Sequence, residues 1–416
     1  MGSAAKATSA RSAPGPRPVC SGRQFWVMIL VLSAFCLLLK LPTLGHVRRE
    51  PDEQIYWQLA EKLATGQAYN LQGTEILPQL APAMYDHELF HHPPLFPALL
   101  VPFVLFGSPQ SAILLPWLGH LLCLVALALI GRRIVARAAP RAEATDAVLW
   151  LPLLGVALDP VLTFVARKLW IDAVLVGLLA LAIACLYLAR DDERPGRLWL
   201  AGGILFGLAA LAKLTALLVA PAAAYLVWTG STHGRARWQA LALSAGPVLL
   251  MVGAWLLVFY AQFGVFNPPW IKPDAYALQH FPMLRLAVQR PALYFVRELL
   301  FIYPLLLIAL CAFIGHGRRL RDPETITAAL WFGVCLFALS YMGATGYGFQ
   351  VRFLAPLVPA IYIVPYVLLA RSEQPRPWLQ LAMLLGIVFA GMNGVYYVVM
   401  PRVADLTSIL SRVRVF

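Results

Sequence analysis

Long apolar runs recur along the chain and are separated by short polar connections. Eleven such runs lie near residues 25–44, 110–131, 147–166, 172–189, 197–212, 214–230, 238–260, 293–314, 325–343, 353–370 and 378–399. Lipid offers a backbone amide no hydrogen-bond partner, so runs of this length must be helical, and about 20 residues cross the hydrocarbon core. The pattern predicts an all-α polytopic membrane protein with about 11 transmembrane helices.

A shorter apolar segment at 93–107, PPLFPALLVPFVLFG, is interrupted by prolines. Because it is short and proline disrupts a helix interior, we expect a re-entrant or interfacial segment there. Residues 1–24 are rich in Ala, Ser, Pro and Arg and predict a disordered basic tail. The first apolar run lacks a small-residue cleavage site and is predicted to be an uncleaved membrane helix. The predicted transmembrane domain covers 25–399, and 400–416 form a C-terminal tail.

Composition supports this class. Of the 416 residues, 60% are hydrophobic and 13% are charged, whereas a soluble domain is near half apolar and a quarter charged. The formal net charge of +13 does not indicate a nucleic-acid partner, because most basic residues sit in short connections rather than in a compact basic domain. The six cysteines fall in or beside apolar runs or in the N-terminal tail, so no disulfide framework or zinc knuckle is indicated.

The distribution of Lys and Arg favours a cytoplasmic N-terminus, because the connections on that side are then short and basic. This orientation leaves two long loops on the outer face, at 45–109 and 261–292. We therefore expect any functional residues to converge on the outer face.

The first outer loop opens with REPDEQIYWQLAEKLATGQAY, residues 49–69. Pro51 suits the first turn of a helix, and Gly66 suits its end. Ile55 and Leu59 then recur at helical spacing and predict an amphipathic juxtamembrane helix lying on the membrane surface. Asp52 stands in the first turn, where the positive end of the helix dipole favours an ionised acid. Acids also decorate helix starts without any catalytic task.

Three histidines follow in HELFHHPPLFPALL, residues 87–100. His87, His91 and His92 stand beside prolines that keep the chain extended. Such a turn can bind a divalent metal together with Asp52, or contact phosphate when charged. Exposed interfacial histidines without either task are an equal alternative.

Three further charged residues are placed at predicted outer helix ends. Asp172 in RKLWIDAVL lies at the mouth of the fourth span, where a carboxylate is costly unless paired or facing a wet cavity. Lys213 in GLAALAKLTALL stands between two apolar runs, and Arg352 in GYGFQVRFLAPLVPAIY begins the tenth span. Either cation can bind phosphate, or it can simply mark a helix end. Asp159, before Pro160, is a weaker candidate.

These motifs, taken in order, resemble the GT-C glycosyltransferases that use polyprenyl-phosphate sugars and are related to protein O-mannosyltransferases and bacterial lipid A aminoarabinose transferase. The segments that carry the resemblance are PDEQIYWQLAEKLATG, HHPPLFP, RKLWIDAVL, GLAALAKLT and RFLAPLVPA. By this resemblance Asp52 would be the catalytic base and Asp172 its supporting carboxylate. Lys213 and Arg352 would bind the lipid-linked phosphate, with His92 close by.

The same resemblance marks Glu53, His91 and Tyr56 as possible supporting residues. No cofactor is implied with certainty, and a divalent metal held by Asp52, His91 and His92 remains open. The aminoarabinose branch commonly has an arginine two residues after the Asp-Glu pair and a Glu-Lys pair before Pro-Pro-Leu. Here Ile55 and the His91-His92 pair stand in those places, which weakens the case for aminoarabinose and for a lipid A acceptor.

The implied activity is a hexosyl or pentosyl transfer from a polyprenyl-phosphate donor to a hydroxyl of a glycan, lipid or protein, with inversion at the anomeric carbon. The implied location is a bacterial inner membrane, with the active site facing the periplasm. A secondary transporter or lipid flippase is the alternative, but such proteins usually place ionisable groups near the bilayer midplane in repeated halves. A non-catalytic sugar-binding or scaffold protein is a third possibility.

Overall fold

The computed structural model describes residues 22–46, 50–80, 85–138, 147–231, 234–266, 293–304, 322–344, 350–370 and 377–399. Within these ranges the regular elements are helices, and no strand occurs. The predicted all-α fold is therefore confirmed. Residues 1–21 of the tail predicted at 1–24, the predicted tail at 400–416, and the second outer loop beyond Phe266 lie outside the described residues. Residues 22–24 of the predicted tail instead begin the first helix.

The helices follow the predicted apolar runs closely. In chain order they are α1 (Gly22–Leu38), α2 (Pro51–Ala64), α3 (Leu95–Phe106), α4 (Pro109–Ala112), α5 (Leu114–Ala138), α6 (Ala147–Ala157), α7 (Pro160–Ala166), α8 (Ile171–Leu188), α9 (Gly196–Ala212), α10 (Ala220–Gly230), α11 (Arg235–Phe263), α12 (Tyr294–Ile302), α13 (Pro323–Ala344), α14 (Val358–Ala370) and α15 (Pro377–Val399). Short 3-10 turns cover Leu41–His46, Leu77–Gln79, Ala189–Asp191, Leu214–Val219 and Val351–Leu357.

Several helical segments are long and apolar enough to cross a membrane. In the part of the chain that the structure describes there are six: Pro109–Arg137, Leu149–Ala166, Ile171–Asp191, Arg235–Phe263, Pro323–Ala344 and Val351–Ala370. Shorter apolar helices accompany them, including α1, α9 and the 12-residue α3. The chain is an integral membrane protein, and the number of 11 spans stays a prediction.

Helix α3 occupies the ambiguous segment at 93–107. Its 12 residues rise about 18 Å at 1.5 Å per residue, well short of the roughly 30 Å hydrocarbon core. It packs mainly against α2 and also touches α9. The expectation that this segment does not span the membrane alone agrees with its length.

The apolar face of α2 does not lie on the membrane surface, so that part of the prediction is wrong. Ile55 and Leu59 are buried inside the protein, where they share an apolar cluster with Phe96 of α3 and Leu169 before α8. Periodicity identified the face correctly, but the neighbouring protein segments, rather than lipid, cover it.

A carboxylate divides the third predicted run into α6 and α7. Asp159 caps α7 by accepting a hydrogen bond from the backbone N–H of Leu162 at 2.8 Å. The hydroxyls of Tyr303 and Tyr362 donate to its Oδ2 at 2.6 and 3.1 Å. A buried acid with this many donors is a structural group, since its desolvation is compensated. Asp159, the weaker sequence candidate, is thereby placed away from the site described below.

Helix α8 forms the centre of the bundle and packs most extensively against α5. Two glycines permit this contact: a Cβ on Gly177 would lie 2.3 Å from the carbonyl oxygen of Gly119, and one on Gly119 would lie 2.4 Å from that of Ala173. Small residues of this kind let membrane helices approach closely.

The two ends of α8 carry different polar clusters. Asp172 stands in its first turn. At the other end Tyr187 donates a hydrogen bond to Glu324 at 2.8 Å, and Arg137 pairs with both Glu324 and Asp191. The 18 residues of α8 separate the clusters by about 27 Å, close to the thickness of a hydrocarbon core.

Candidate active site

A cavity of about 280 Å³ opens at the end of the bundle where α8 begins. The five residues that the sequence assigned to catalysis or phosphate binding all line it, namely Asp52, Asp172, Lys213, Arg352 and His92. They come from segments far apart in the chain, so folding alone brings them together.

Helix α2 places Asp52 at the cavity. Glu50 caps the helix, Pro51 occupies its first position, and Glu50 and Glu53 form a reciprocal capping box. This arrangement satisfies amide donors at the helix start that have no intrahelical partner. Gly66, with φ of +69°, takes the left-handed conformation that ends helices, as the sequence predicted. Asp52 is therefore fixed at a defined helix start.

Arg352 forms an ion pair with Asp52 in the lining of the cavity. Its Nη2 lies 2.5 Å from Oδ2 of Asp52. The guanidinium carbon also stands 4.5 Å from the centre of the Trp170 ring, within cation–π range. Trp170 immediately precedes α8, so this contact joins the turn before α8 to the turn before α14.

Lys213 forms a second ion pair in the cavity, with Asp172. The ammonium nitrogen lies 2.7 Å from Oδ1 of Asp172 and 4.5 Å from the centre of the Phe353 ring. The pair is largely shielded, since the side chains of Lys213 and Asp172 are 13% and 2% exposed. Lys213 ends α9, as its position between two apolar runs predicted.

The four charged side chains of the cavity thus form two carboxylate–cation pairs. Asp52 pairs with Arg352, and Asp172 pairs with Lys213. The sequence placed these acids and cations at one face but did not indicate how they pair. Their charges cancel, so the lining carries no formal excess of either sign from these residues.

The two neighbouring histidines line the cavity as neutral rings. His91 and His92 have ring centres 4.4 Å apart. Burial, together with the positive charges of Lys213 and Arg352, lowers the pKa of His92 to about 3. Burial and the adjacent His92 also hold the pKa of His91 well below its usual range. The histidines therefore do not supply cationic charge near neutral pH in the ligand-free protein, and contact with phosphate in a charged form stays a prediction.

Tyr56 stands beside His92, one helical turn after Asp52. Its hydroxyl lies 3.5 Å from Nδ1 of His92, and its ring packs edge-on against Phe96 at 5.1 Å. Burial and the negative charges of Asp52 and Asp172 raise the pKa of Tyr56 well above its ordinary value. Tyr56 thus remains a protonated hydroxyl that can donate a hydrogen bond.

Glu53 lies behind the cavity lining and binds two backbone N–H groups near it. Its side chain is buried and does not line the cavity. Oε1 accepts a hydrogen bond from the N–H of Leu169 at 2.7 Å, and Oε2 accepts one from the N–H of Glu50 at 3.1 Å. Glu53 thereby links the start of α2 to the turn before α8.

The candidate metal ligands share the cavity without forming a ligand set. Asp52 is engaged by Arg352, and Nδ1 of His92 faces the hydroxyl of Tyr56. No group of three or more His, Cys, Asp or Glu side chains positioned to hold a metal ion was found in the residues that the structure describes.

Sequence reasoning missed the aromatic wall that faces the charged residues. This wall consists of Tyr85, Phe90, Trp255, Phe259 and Phe266. Tyr85 and Phe90 stack with ring planes 20° apart. Tyr85 and Phe90 lie in the first outer loop and Phe266 follows α11, and no motif in the sequence marked these positions as a group. Trp170 was also missed, although it lies in the RKLWIDAVL segment.

Part of the chain matches a known protein family. Residues 91–258 match the family model described as dolichyl-phosphate-mannose-protein mannosyltransferase. This range includes His91, His92, Asp172 and Lys213, while Asp52 and Arg352 lie outside it. A comparison with curated protein sequences found no match.

Two solved structures share the architecture. ArnT from Cupriavidus metallidurans, bound to undecaprenyl phosphate, is 20% identical and superposes with a TM-score of 0.57 over 85% of this chain and 61% of ArnT. The oligosaccharyltransferase AglB from Archaeoglobus fulgidus, in complex with an inhibitory peptide and a dolichol-phosphate, is 13% identical, with a TM-score of 0.51 over 91% of this chain and 55% of AglB. The chain spans about three fifths of the length of the ArnT structure.

The chain is an integral membrane protein whose fold is shared with ArnT and AglB. The resemblance drawn from the sequence motifs, to GT-C glycosyltransferases of the protein O-mannosyltransferase and aminoarabinose transferase type, is confirmed by the family match and by the shared fold.

Proposed function

We propose that this protein transfers a sugar from a polyprenyl-phosphate donor to an acceptor hydroxyl. The observation that carries the proposal is the convergence of Asp52, Asp172, Lys213 and Arg352 on one cavity at one end of the bundle. A sugar phosphoester of a long polyprenol cannot leave the membrane, so its enzyme must offer its site at the level of the headgroups. A cavity at a helix-bundle end has that position.

The chemistry requires a base and cations. Asp52 accepts the proton of the acceptor hydroxyl while the oxygen attacks the anomeric carbon of the sugar. The bond from that carbon to the phosphate oxygen breaks, and its electron pair leaves with polyprenyl phosphate. A single displacement of this kind inverts the anomeric centre. Asp172 supports the site through Lys213.

The leaving group needs cations more than it needs an acid. A phosphate monoester has a second pKa of about 6, so polyprenyl phosphate departs near neutral pH without a strong general acid. Lys213 and Arg352 would stabilise the charge that grows on the phosphate as the bond breaks. Neutral His92 and the Tyr56 hydroxyl would complete the polar lining by hydrogen bonding.

The proposed orientation places the cavity at the outer face. Helix α8 runs from Asp172 in the cavity to the Arg137 cluster at the opposite end. That opposite end also carries the arginines near the ends of α5 and α8 and the starts of α9 and α11. Basic residues favour the cytoplasmic side, which supports an outer site and a cytoplasmic N-terminus. A bacterial inner membrane with a periplasmic site agrees with this orientation.

A transporter or flippase is less well supported. In such proteins the ionisable groups lie near the bilayer midplane between broken helices. Here the cavity charges lie at the start of α8, about 27 Å from its other end.

The test uses purified protein and a panel of radiolabelled polyprenyl-phosphate sugars, offered with glycan, lipid and peptide acceptors. We expect one donor to release free polyprenyl phosphate and label one acceptor class. Asp52→Asn should lower the rate by ~10²–10⁴. Asp86→Asn is the matched control, because Asp86 is exposed in the same loop and does not line the cavity. A rate for Asp52→Asn within threefold of the parent would remove Asp52 as the base.

A further inference from the structure

We propose that the donor phosphate releases Asp52 from Arg352, so that the base becomes available only once the donor is bound. This inference rests on the proposed function and adds to it an order of events. The donor would bind first, and the acceptor hydroxyl would then meet a carboxylate no longer engaged by a guanidinium.

The starting point is the tight pairing of the two side chains. Asp52 and Arg352 are joined by a 2.5 Å contact between Oδ2 and Nη2. A charge-assisted hydrogen bond of this length is among the stronger side-chain interactions. While it lasts, the guanidinium occupies one oxygen of the carboxylate, so that oxygen is not available to an acceptor hydroxyl.

The pairing leaves part of the guanidinium unused. An arginine side chain presents Nε and Nη2 along one edge of its planar group, and this edge fits two oxygens of a phosphate. Asp52 contacts Nη2. The Nε of Arg352 is buried and finds no hydrogen-bond partner among the described residues. A buried unpaired donor is unfavourable, and a second oxygen on this edge would relieve it.

A phosphate that binds both Nε and Nη2 competes with Asp52 for Nη2 and for the positive charge of the guanidinium. The Trp170 ring, 4.5 Å from the guanidinium carbon, holds the flat group in place, so the phosphate rather than the arginine is the moving partner. Asp52 is the more exposed member of the pair, at 33% against 13% for Arg352. The carboxylate therefore has room to turn toward the cavity when it is displaced.

Charge balance favours the exchange. The two ion pairs of the cavity are neutral as they stand, and a donor phosphodiester adds one negative charge. Lys213 and Arg352 then face the phosphate, and Asp52 is left as the anion that attracts a hydroxyl proton. The same competition predicts that Asp52 weakens phosphate binding in the absence of an acceptor.

The experiment is a double-mutant cycle on the binding of undecaprenyl phosphate to the purified full-length chain in nanodiscs. The four proteins are the parent, Asp52→Asn, Arg352→Gln and the double variant. Competition for Arg352 predicts that Asp52→Asn binds undecaprenyl phosphate ~10-fold more tightly than the parent, a size reached by close charge pairs. The gain should vanish when Arg352 is already glutamine.

Two outcomes would overturn the proposal. In the first, Asp52→Asn binds no more tightly than the parent; in the second, its gain persists in the Arg352→Gln background. The second result would mean that Asp52 merely repels the phosphate. If Arg352→Gln fails to fold, Arg352→Lys takes its place; a lysine keeps the charge but lacks the two-donor edge, so the gain should shrink. Asp86→Asn should bind as the parent does.

The outcomes also separate this proposal from the one on which it rests. If the parent protein does not bind undecaprenyl phosphate, the result argues against the proposed function itself and against the release of Asp52 by the donor. If the parent binds but Asp52→Asn shows no gain, the proposed transfer reaction stands and only the release of Asp52 by the donor is contradicted.

Discussion

The buried carboxylate of Glu53 accepts a 2.7 Å hydrogen bond from the backbone N–H of Leu169, 116 residues further along the chain. Its second oxygen accepts from the N–H of Glu50. One side chain thus fixes the start of α2, which carries Asp52, against the turn that leads into α8, which carries Asp172. The two acids of the cavity owe their relative position to a residue that does not line it.

Replacing Glu53 by Gln should therefore affect stability and transfer together. Glutamine has one oxygen, so its amide N–H₂ must face one of the two backbone donors. The unpaired donor should lower the free energy of unfolding by about 1–3 kcal/mol. Thermal unfolding in detergent and the transfer assay measure the two effects.

Glu61→Gln provides the control on the same helix. Glu61 accepts a hydrogen bond from Nε1 of Trp57, and an amide oxygen can accept it equally well. Parental stability and rate are expected for this variant. If Glu53→Gln behaves as Glu61→Gln does, Glu53 has no role in placing the two loops.

Replacing one member of the Asp172–Lys213 pair should destabilise the protein more than replacing both members. Both side chains are mostly shielded from solvent, and removing one member of a buried pair leaves an uncompensated charge at a cost of about 3–5 kcal/mol. Asp172→Asn should therefore destabilise strongly, and adding Lys213→Gln should recover part of the loss. Unfolding of both single variants and the double variant measures the coupling. Additive effects would show that the two groups do not interact.

The free energy of unfolding should fall as the pH is lowered below the ordinary pKa of histidine, about 6.5. The pKa of His92 is about 3 in the folded protein and about 6.5 in an unfolded chain. Between these values the unfolded state binds more protons, so the free energy of unfolding decreases as the pH falls, by up to ~1.4 kcal/mol per unit for one residue. Unfolding between pH 7 and pH 5 measures the slope.

His92→Gln should reduce that slope, because glutamine does not titrate. His91→Gln should reduce it as well, since the pKa of His91 is also lowered. An unchanged slope in both variants would mean that the two rings bind protons equally in the folded and unfolded states, which would contradict the lowered pKa values.

The close contact between α5 and α8 should tolerate no added methyl group. A Cβ on Gly177 would lie 2.3 Å from a backbone oxygen of Gly119, and backbone cannot yield as a flexible side chain can. Gly177→Ala should destabilise by about 1–3 kcal/mol. Gly253 in α11 has nothing within 4 Å of an added Cβ, so Gly253→Ala should be neutral or stabilising, by up to about 1 kcal/mol. Equal effects of the two substitutions would contradict the close approach.

Much of the fold followed from local signals. Hydropathy identified the helical runs, and Pro51 and Gly66 marked the ends of α2, because these signals act through the chain's own backbone. The charged members of the cavity also followed, since polar residues at the ends of apolar runs must gather at a membrane face.

Relations between distant segments could not be predicted in the same way. Nothing local specifies that Arg352 pairs with Asp52 while Lys213 pairs with Asp172. The apolar face of α2 was identified, yet its periodicity does not distinguish lipid from α3 as the covering surface. The inward turn of Glu53 and the position of Trp170 under Arg352 likewise depend on the packing of the turn before α8.

The charged residues of the cavity lie at helix ends. Its aromatic wall comes largely from the segment around Phe90 and from α11. Gln262 of α11 donates a hydrogen bond to Glu88, which joins the two segments of the aromatic wall directly to each other. Substitutions in the aromatic wall can therefore reshape the cavity while the two ion pairs keep their geometry.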